Sequence, residues 1–200
     1  MISTNVKSLD ILLNGGVRYN TLINIYGENG SGKTQFCFHI SAYAARSLGI
    51  LFIDSLNNFR PERVIEIADK NVLENIYVIR PSSIDDAYNT LRKANYLKVR
   101  LIIIDDISEL VFDDINPEER LVWFIHKILL LAIKYELSVI ITNRIAYDTR
   151  QKYDYIISRY THFKIKFSKI NGIHYAHLLH PYDRITYFRI GKKGLVDVYL

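Results

Sequence analysis

The chain has 200 residues, 49% of them apolar and 24% charged, the balance of a single globular domain with a sizeable core. Its one cysteine, Cys37, excludes a disulfide framework, and the opening MISTNVKSLD lacks the apolar centre of a signal peptide. The longest apolar runs are far too short to span a bilayer, so a soluble, cytoplasmic protein is expected.

Taken in chain order, TLINIY is the first predicted strand, and it runs directly into GENGSGKT, Gly27 to Thr34. That stretch fits G-x-x-x-x-G-K-[ST] between a strand and a helix, the setting in which the pattern has mechanical meaning. Gly27, Glu28, Asn29, Gly30, Ser31 and Gly32 would turn backbone N–H groups inward around phosphate oxygens. The helix that follows adds its positive N-terminal end. Lys33 would reach the β- and γ-phosphates, and the Thr34 hydroxyl would ligate Mg²⁺. The next strand, ILFID, ends in Asp54 and is followed by Leu56 and two asparagines. A large apolar side chain is unexpected there, because polar chemistry usually occupies the mouth of an α/β sheet. Arg60-Pro61-Glu62-Arg63 then opens a helix.

IYVIR and VRLIIID are the third and fourth strands. The fourth places Asp105 at a strand end, where a phosphate-loop protein needs a second acid for its magnesium. Asp106 is expected on the opposite face if the strand runs on, and so to be secondary. Residues 117–136 read as a helix opened by Pro117, with Leu121, Phe124, Ile125, Ile128, Leu129 and Ala132 at helical spacing. Trp123 on this helix and Cys37 after the loop are read as core residues. LSVIIT is the fifth strand. Near-continuous apolar strands separated by helices imply a mainly parallel sheet covered on both faces.

Beyond residue 140 the character changes. The net charge of +5 divides into 15 Lys+Arg against 17 Asp+Glu in residues 1–140, and 11 against 4 in residues 141–200. A basic segment on a neutral body points to a polyanionic partner. Between Arg144 and Tyr160 the cations Arg144, Arg150, Lys152 and Arg159 interleave with Tyr147, Tyr153, Tyr155 and Tyr160. That is how a single nucleic-acid strand is held, cations along its backbone and aromatic faces for its bases. THFKIKFSKI then alternates strictly and meets Asn171-Gly172, a hairpin signal. ITYFRI and LVDVYL complete a set of C-terminal antiparallel hairpins with a basic outward face. His174, His177 and His180 do not make a metal site, because alternation on a strand turns His177 away from the other two.

With the loop, the strand-end acid and FRPER all placed, the chain resembles the RecA/RadA recombinase superfamily, in particular archaeal RadA and its short paralogues such as RadB. The likeness covers nearly the whole length as one RecA-like ATP-binding domain, residues 1–200. SLDILLNGGV is similar to the family's lead-in, GKTQ (ending in Gln35) matches its wording at the loop, and SVIITNR is similar to a strand ending Ile-Thr-Asn-Gln. FIDSLNNFRPERV resembles a segment that usually reads Tyr-Ile-Asp-Thr-Glu-Gly-Thr-Phe-Arg-Pro-Glu-Arg. The resemblance implies ATP and Mg²⁺ as ligands, Arg63 packed on the adenine ring, and DNA bound by the region after the fifth strand.

It also isolates the departures. The family's water-polarising glutamate falls on Leu56, which can neither accept a proton nor orient a water. Its γ-phosphate-sensing glutamine falls on Arg144, which can hold phosphate but would not relay to DNA in the same way. Its DNA loop is glycine-rich, whereas residues 143–171 contain no glycine. The family's helical N-terminal domain and Phe-x-x-Ala tether have no counterpart in this sequence. The implied function is an ATP- and DNA-binding paralogue, favouring single strands, that modulates the main recombinase in homologous recombination and repair with weak or absent hydrolysis. Its expected protein partner is a recombinase or another paralogue. Asp106 or Glu62 taking over as base would leave slow turnover. Two alternative functions stand beside the implied one: a true DNA-stimulated ATPase with its own strand-pairing activity, and a KaiC-like regulator acting through protein contacts.

Overall fold

A computed structural model of the chain describes residues 1–93, 98–145 and 151–198. Among the described residues nine strands form one sheet. In chain order they are β1 (Thr21–Gly27), β2 (Gly49–Asp54), β3 (Ile76–Ile79), β4 (Val99–Asp105), β5 (Ser138–Arg144), β6 (Phe163–Ile170), β7 (Ile173–His180), β8 (Arg184–Gly191) and β9 (Gly194–Asp197). Their spatial order is β3-β2-β4-β5-β1-β6-β7-β8-β9. Pairing is parallel from β3 across to β6 and antiparallel from β6 to β9.

The side-chain period of two explains both layers. Leu22, Leu51, Ile53, Ile102, Ile104 and Ile141 point to one face and pack against α4 (Ile84–Leu91) and α5 (Pro117–Tyr135). Ile23, Ile25, Ile50, Phe52, Ile103 and Ile140 point to the other, beneath α1 (Lys7–Leu12), α2 (Lys33–Ala44) and α3 (Pro61–Ile67). Each fully buried side chain of this size contributes about 1.5–3 kcal/mol. The architecture is therefore α/β with a mainly parallel, two-sided core and a C-terminal antiparallel extension, as the alternation of runs predicted.

Local differences have local causes. The long helix begins at Pro117 as expected but ends at Tyr135, because Glu136 takes a left-handed conformation (φ 52°). Strand β3 stops at Ile79, and Arg80 leaves the ladder to pair with Asp54 at 3.0 Å. The last strand runs from Gly194 to Asp197. Asn171-Gly172 does turn β6 into β7, and Phe163, Ile165 and Phe167 are buried while Lys164 and Lys166 face outward. Trp123 is half-buried against the α5-side core and Cys37 is fully buried, its thiol pushed well up by desolvation. Among the described residues no helix is long and apolar enough to cross a membrane.

Candidate functional site

The carboxyl ends of four parallel strands lie side by side. Gly27 on β1 lies beside Arg144 on β5, and Asp54 on β2 lies beside Asp105 on β4. Strand β5 sits between the loop strand and the acid strand, with Thr142 bonded to Asp105 and Arg144 two residues further on, beside Gly27. An open cleft of about 660 Å³ begins there, where open α/β sheets place their ligands.

Two glycines shape the loop. A Cβ on Gly27 would collide with the Phe167 carbonyl of neighbouring β6, and Gly32 caps α2 with φ 106°, a region closed to most side chains. Lys33, 8% exposed, donates from Nζ to the Gly27 carbonyl at 2.8 Å and the Glu28 carbonyl at 3.0 Å. Desolvation lowers its pKa from the ordinary value, opposed by Asp106 and Asp105. The Ser31 hydroxyl oxygen is buried without a protein partner, and the Ser31 carbonyl accepts from His174 Nδ1 at 2.9 Å. Asn29, Gly30, Gly32, Lys33, Thr34 and Gln35 line the cleft.

Asp105 is 2% exposed. Its Oδ1 accepts from the Thr142 hydroxyl and its carboxylate also meets the Thr34 hydroxyl, while Oδ2 is buried with no hydrogen-bond partner. Burial raises its pKa, and the Thr142 and Thr34 hydrogen bonds oppose the rise. A buried carboxylate oxygen left over beside a hydroxyl is the oxygen-only donor set a hard cation takes, with phosphate and water completing the shell. The residues therefore fit Mg²⁺ at Thr34 and Asp105. Among the described residues no cluster of three His, Cys, Asp or Glu side chains offers a different metal site.

Asp106 corrects the expectation that it faces away. Strand β4 ends at Asp105, the chain turns, and both carboxylates line the same cleft. Asp106 Oδ1 accepts from the Ser108 backbone at 2.8 Å and its hydroxyl at 2.7 Å, and Oδ2 lies 3.3 Å from Arg144 Nε. The other end of the Arg144 guanidinium pairs with Glu109, so this cation is held by two carboxylates. Burial raises the Asp106 pKa, with the Ser108 hydrogen bonds and Arg144 opposing.

Leu56 lines the cleft with Lys33 and Asp105. Its position follows from Asp54, whose buried carboxylate accepts from the backbones of Asn58 at 2.8 Å and Phe59 at 3.0 Å and from Arg80. The Ser55 hydroxyl joins β2 to β4, donating to the Asp106 carbonyl and accepting from the Asp106 backbone, each at 2.7 Å. Glu62 is exposed and does not line the cleft. Arg63 is also outside the lining. It donates to Gln35 Oε1 at 2.8 Å, to Glu66, and to the carbonyls of Gly191 and Lys192 at 2.7 Å each.

Of the residues expected to touch nucleic acid, Tyr147 and Arg150 lie outside the described residues. Lys152 holds its ammonium over the rings of Phe112 and Tyr153 at 5.0 and 5.2 Å. Tyr153 packs partly against the α5-side core, and Arg159 is exposed beyond α6 (Asp154–Ile157). The sequence reading missed Lys169, His174 and Ile190, which close the cleft from the antiparallel extension. The signal was present: Asn171-Gly172 pairs Lys169 directly with His174 across the hairpin.

Comparison with known proteins follows the same lines. The family model described as Rad51 matches residues 1–159. The DNA repair and recombination protein RadA of Metallosphaera sedula is 31% identical over 72% of this chain and 52% of its own length. RadA of Cenarchaeum symbiosum is 29% identical over 73% of this chain and 43% of its own length, so the chain spans about half the length of these RadA relatives. The DNA repair and recombination protein RadB of Thermococcus onnurineus is 27% identical over 99% of this chain and 98% of its own length.

Proposed function

The chain belongs to the Rad51 family, and from that premise we propose that it is a RadB-like recombination protein that holds ATP·Mg²⁺ with little or no turnover, binds DNA and modulates a main recombinase. Family membership carries nucleotide and DNA binding in general; the finer statements rest on the residues of the cleft. Lys33 and the α2 N-terminus would hold the phosphates, and Thr34 with Asp105 would hold the cation. A magnesium ion held there would supply charge neutralisation to the phosphates. Arg144 would reach the γ-phosphate from between its two carboxylates.

The observation that carries the reading is Leu56. By the resemblance it falls where the family has its water-activating glutamate, and it lines the cleft, so the β2–α3 turn presents an alkyl side chain there. An alkyl group can exclude water but cannot take its proton. Asp106 supports a second reading, slow hydrolysis through a substitute base, because it lies in the same cleft. Its pairing with Arg144 and its hydrogen bonds to Ser108 weigh against a free base there.

A cytoplasmic setting, a single-strand preference and a recombinase or paralogue partner complete the proposal. The interleaved cations and tyrosines after β5 support the single strand. The test is nucleotide retention. Wild type incubated with Mg²⁺-ATP and desalted should release intact triphosphate, and Lys33→Ala should retain none. Recovery of diphosphate alone, or equal retention by both proteins, would contradict the proposal.

A further inference from the structure

We infer that the solvent face of β6, β7 and β8 is a second contact surface for single-stranded nucleic acid, on which Tyr175 and Tyr187 stack bases. This rests on the DNA-binding part of the reading above and extends it to strands which that reading does not use. Alternation fills the inner face of these strands with Phe167, Ala176, Leu178 and Phe188, all buried. Their outward neighbours are open or partly open: Tyr187 is 39% exposed and Ile185 51%, while Tyr175 is half-buried. Tyr175 and Tyr187 are paired across the ladder with ring centroids 6.4 Å apart. Together with Ile170, Ile173 and Ile185 they line an open groove of about 370 Å³.

An uncovered apolar face alone does not name its occupant; the charges do. Strands β6, β7 and β8 contain no Asp or Glu. Lys166 faces outward opposite His177, and Arg189 follows Tyr187 by two residues on the same face. The carboxylates at the margins are engaged, Asp154 with Lys164 at 2.5 Å and Asp183 with His177 at 2.7 Å. Cations beside exposed aromatic rings suit a chain of phosphates carrying planar bases. A duplex keeps its base faces stacked inside, so only an unpaired strand can use the tyrosines. The surface also continues toward the region already assigned to DNA, because the Lys164–Asp154 pair joins β6 to α6.

The test uses the full-length chain and an oligothymidylate probe. Stacking is worth about 1–3 kcal/mol per base, so Tyr187→Ala should weaken binding roughly tenfold at constant salt, and Tyr175→Ala similarly. Tyr187→Phe should restore affinity, because phenylalanine stacks without the hydroxyl. Neither alanine variant should change the salt slope, whereas Lys166→Gln should lower it by about 0.7. An unchanged thermal shift with Mg²⁺-ATP in each variant establishes that the fold is intact. The same probe carrying 5-iododeoxyuridine should photocrosslink to the peptide 171–188. Crosslinks confined to residues 144–160 would overturn this inference and leave the proposed function standing. No binding of the probe at all would overturn both. A dimer of the free protein that Tyr187→Glu dissolves would assign the face to a second copy instead.

Discussion

Leu56 and Asp106 show how charge is distributed in the cleft. The β2–α3 turn brings no carboxylate to the lining, and the acid that follows Asp105 is paired with Arg144, a cation that Glu109 shares. Leu56→Glu would return a carboxylate to the turn. A positioned general base contributes about 10²–10⁴-fold, so single-turnover hydrolysis by this variant should rise by at least tenfold. Recovery should be partial because Arg144 remains where the resemblance places the family's glutamine. A variant that folds and binds ATP yet gains nothing would place the defect elsewhere in the pocket. Lys33 gives the complementary expectation. A ligand at a hundredfold its dissociation constant adds about 2.7 kcal/mol, so Mg²⁺-ATP should raise the melting temperature of wild type and leave that of Lys33→Ala unmoved.

At the scale of elements, the β2–α3 turn depends on one buried carboxylate. Asp54 satisfies two backbone N–H groups and Arg80, and so fixes where Leu56 stands. Asp54→Ala strands those donors and should cost roughly 3 kcal/mol, read as a lower urea midpoint at unchanged slope. A loss under about 1 kcal/mol would mean that water replaces the carboxylate. Elements of this kind divide what the sequence discloses from what it conceals. The apolar strands, the phosphate loop, Pro117 and Asn171-Gly172 were legible because each has a local cause. The turn after Asp105 was not, because strand alternation stops with the strand. The bonds of Arg63 to Gly191 and Lys192 were not legible either, since they join positions some 128 residues apart in the chain. Nor did composition reveal that Tyr153 packs partly against the core.

Across the whole molecule, His39 ties the two ends of the chain together. Its Nε2 donates to the Thr4 carbonyl at 2.9 Å and its Nδ1 accepts from the Leu195 backbone at 3.0 Å, which specifies the neutral ring. Desolvation lowers its pKa from 6.5 to about 4, against the opposing Thr4 hydrogen bond. The unfolded chain therefore takes up this proton before the folded one does. The associated stability is fully present above pH 6.5 and is lost as pH falls toward 4, about 2 kcal/mol of it by pH 5. His39→Gln removes the titration and offers one amide donor and one acceptor in its place, so its stability should fall less than that of wild type between pH 7.5 and 5. Parallel curves would remove the assignment. The basic C-terminal third gives a further whole-molecule expectation. Affinity for single-stranded DNA should fall log-linearly with salt, and Lys152→Ala with Arg159→Ala should flatten the slope by about 0.7 each if both meet phosphates. An unchanged slope in the double variant would remove Lys152 and Arg159 from the interface. The central claim, a nucleotide site that binds without turning over, is tested most directly by steady-state hydrolysis of Mg²⁺-ATP by wild type with and without single-stranded DNA. The account predicts a rate at background in both conditions, whereas turnover that DNA stimulates would contradict it.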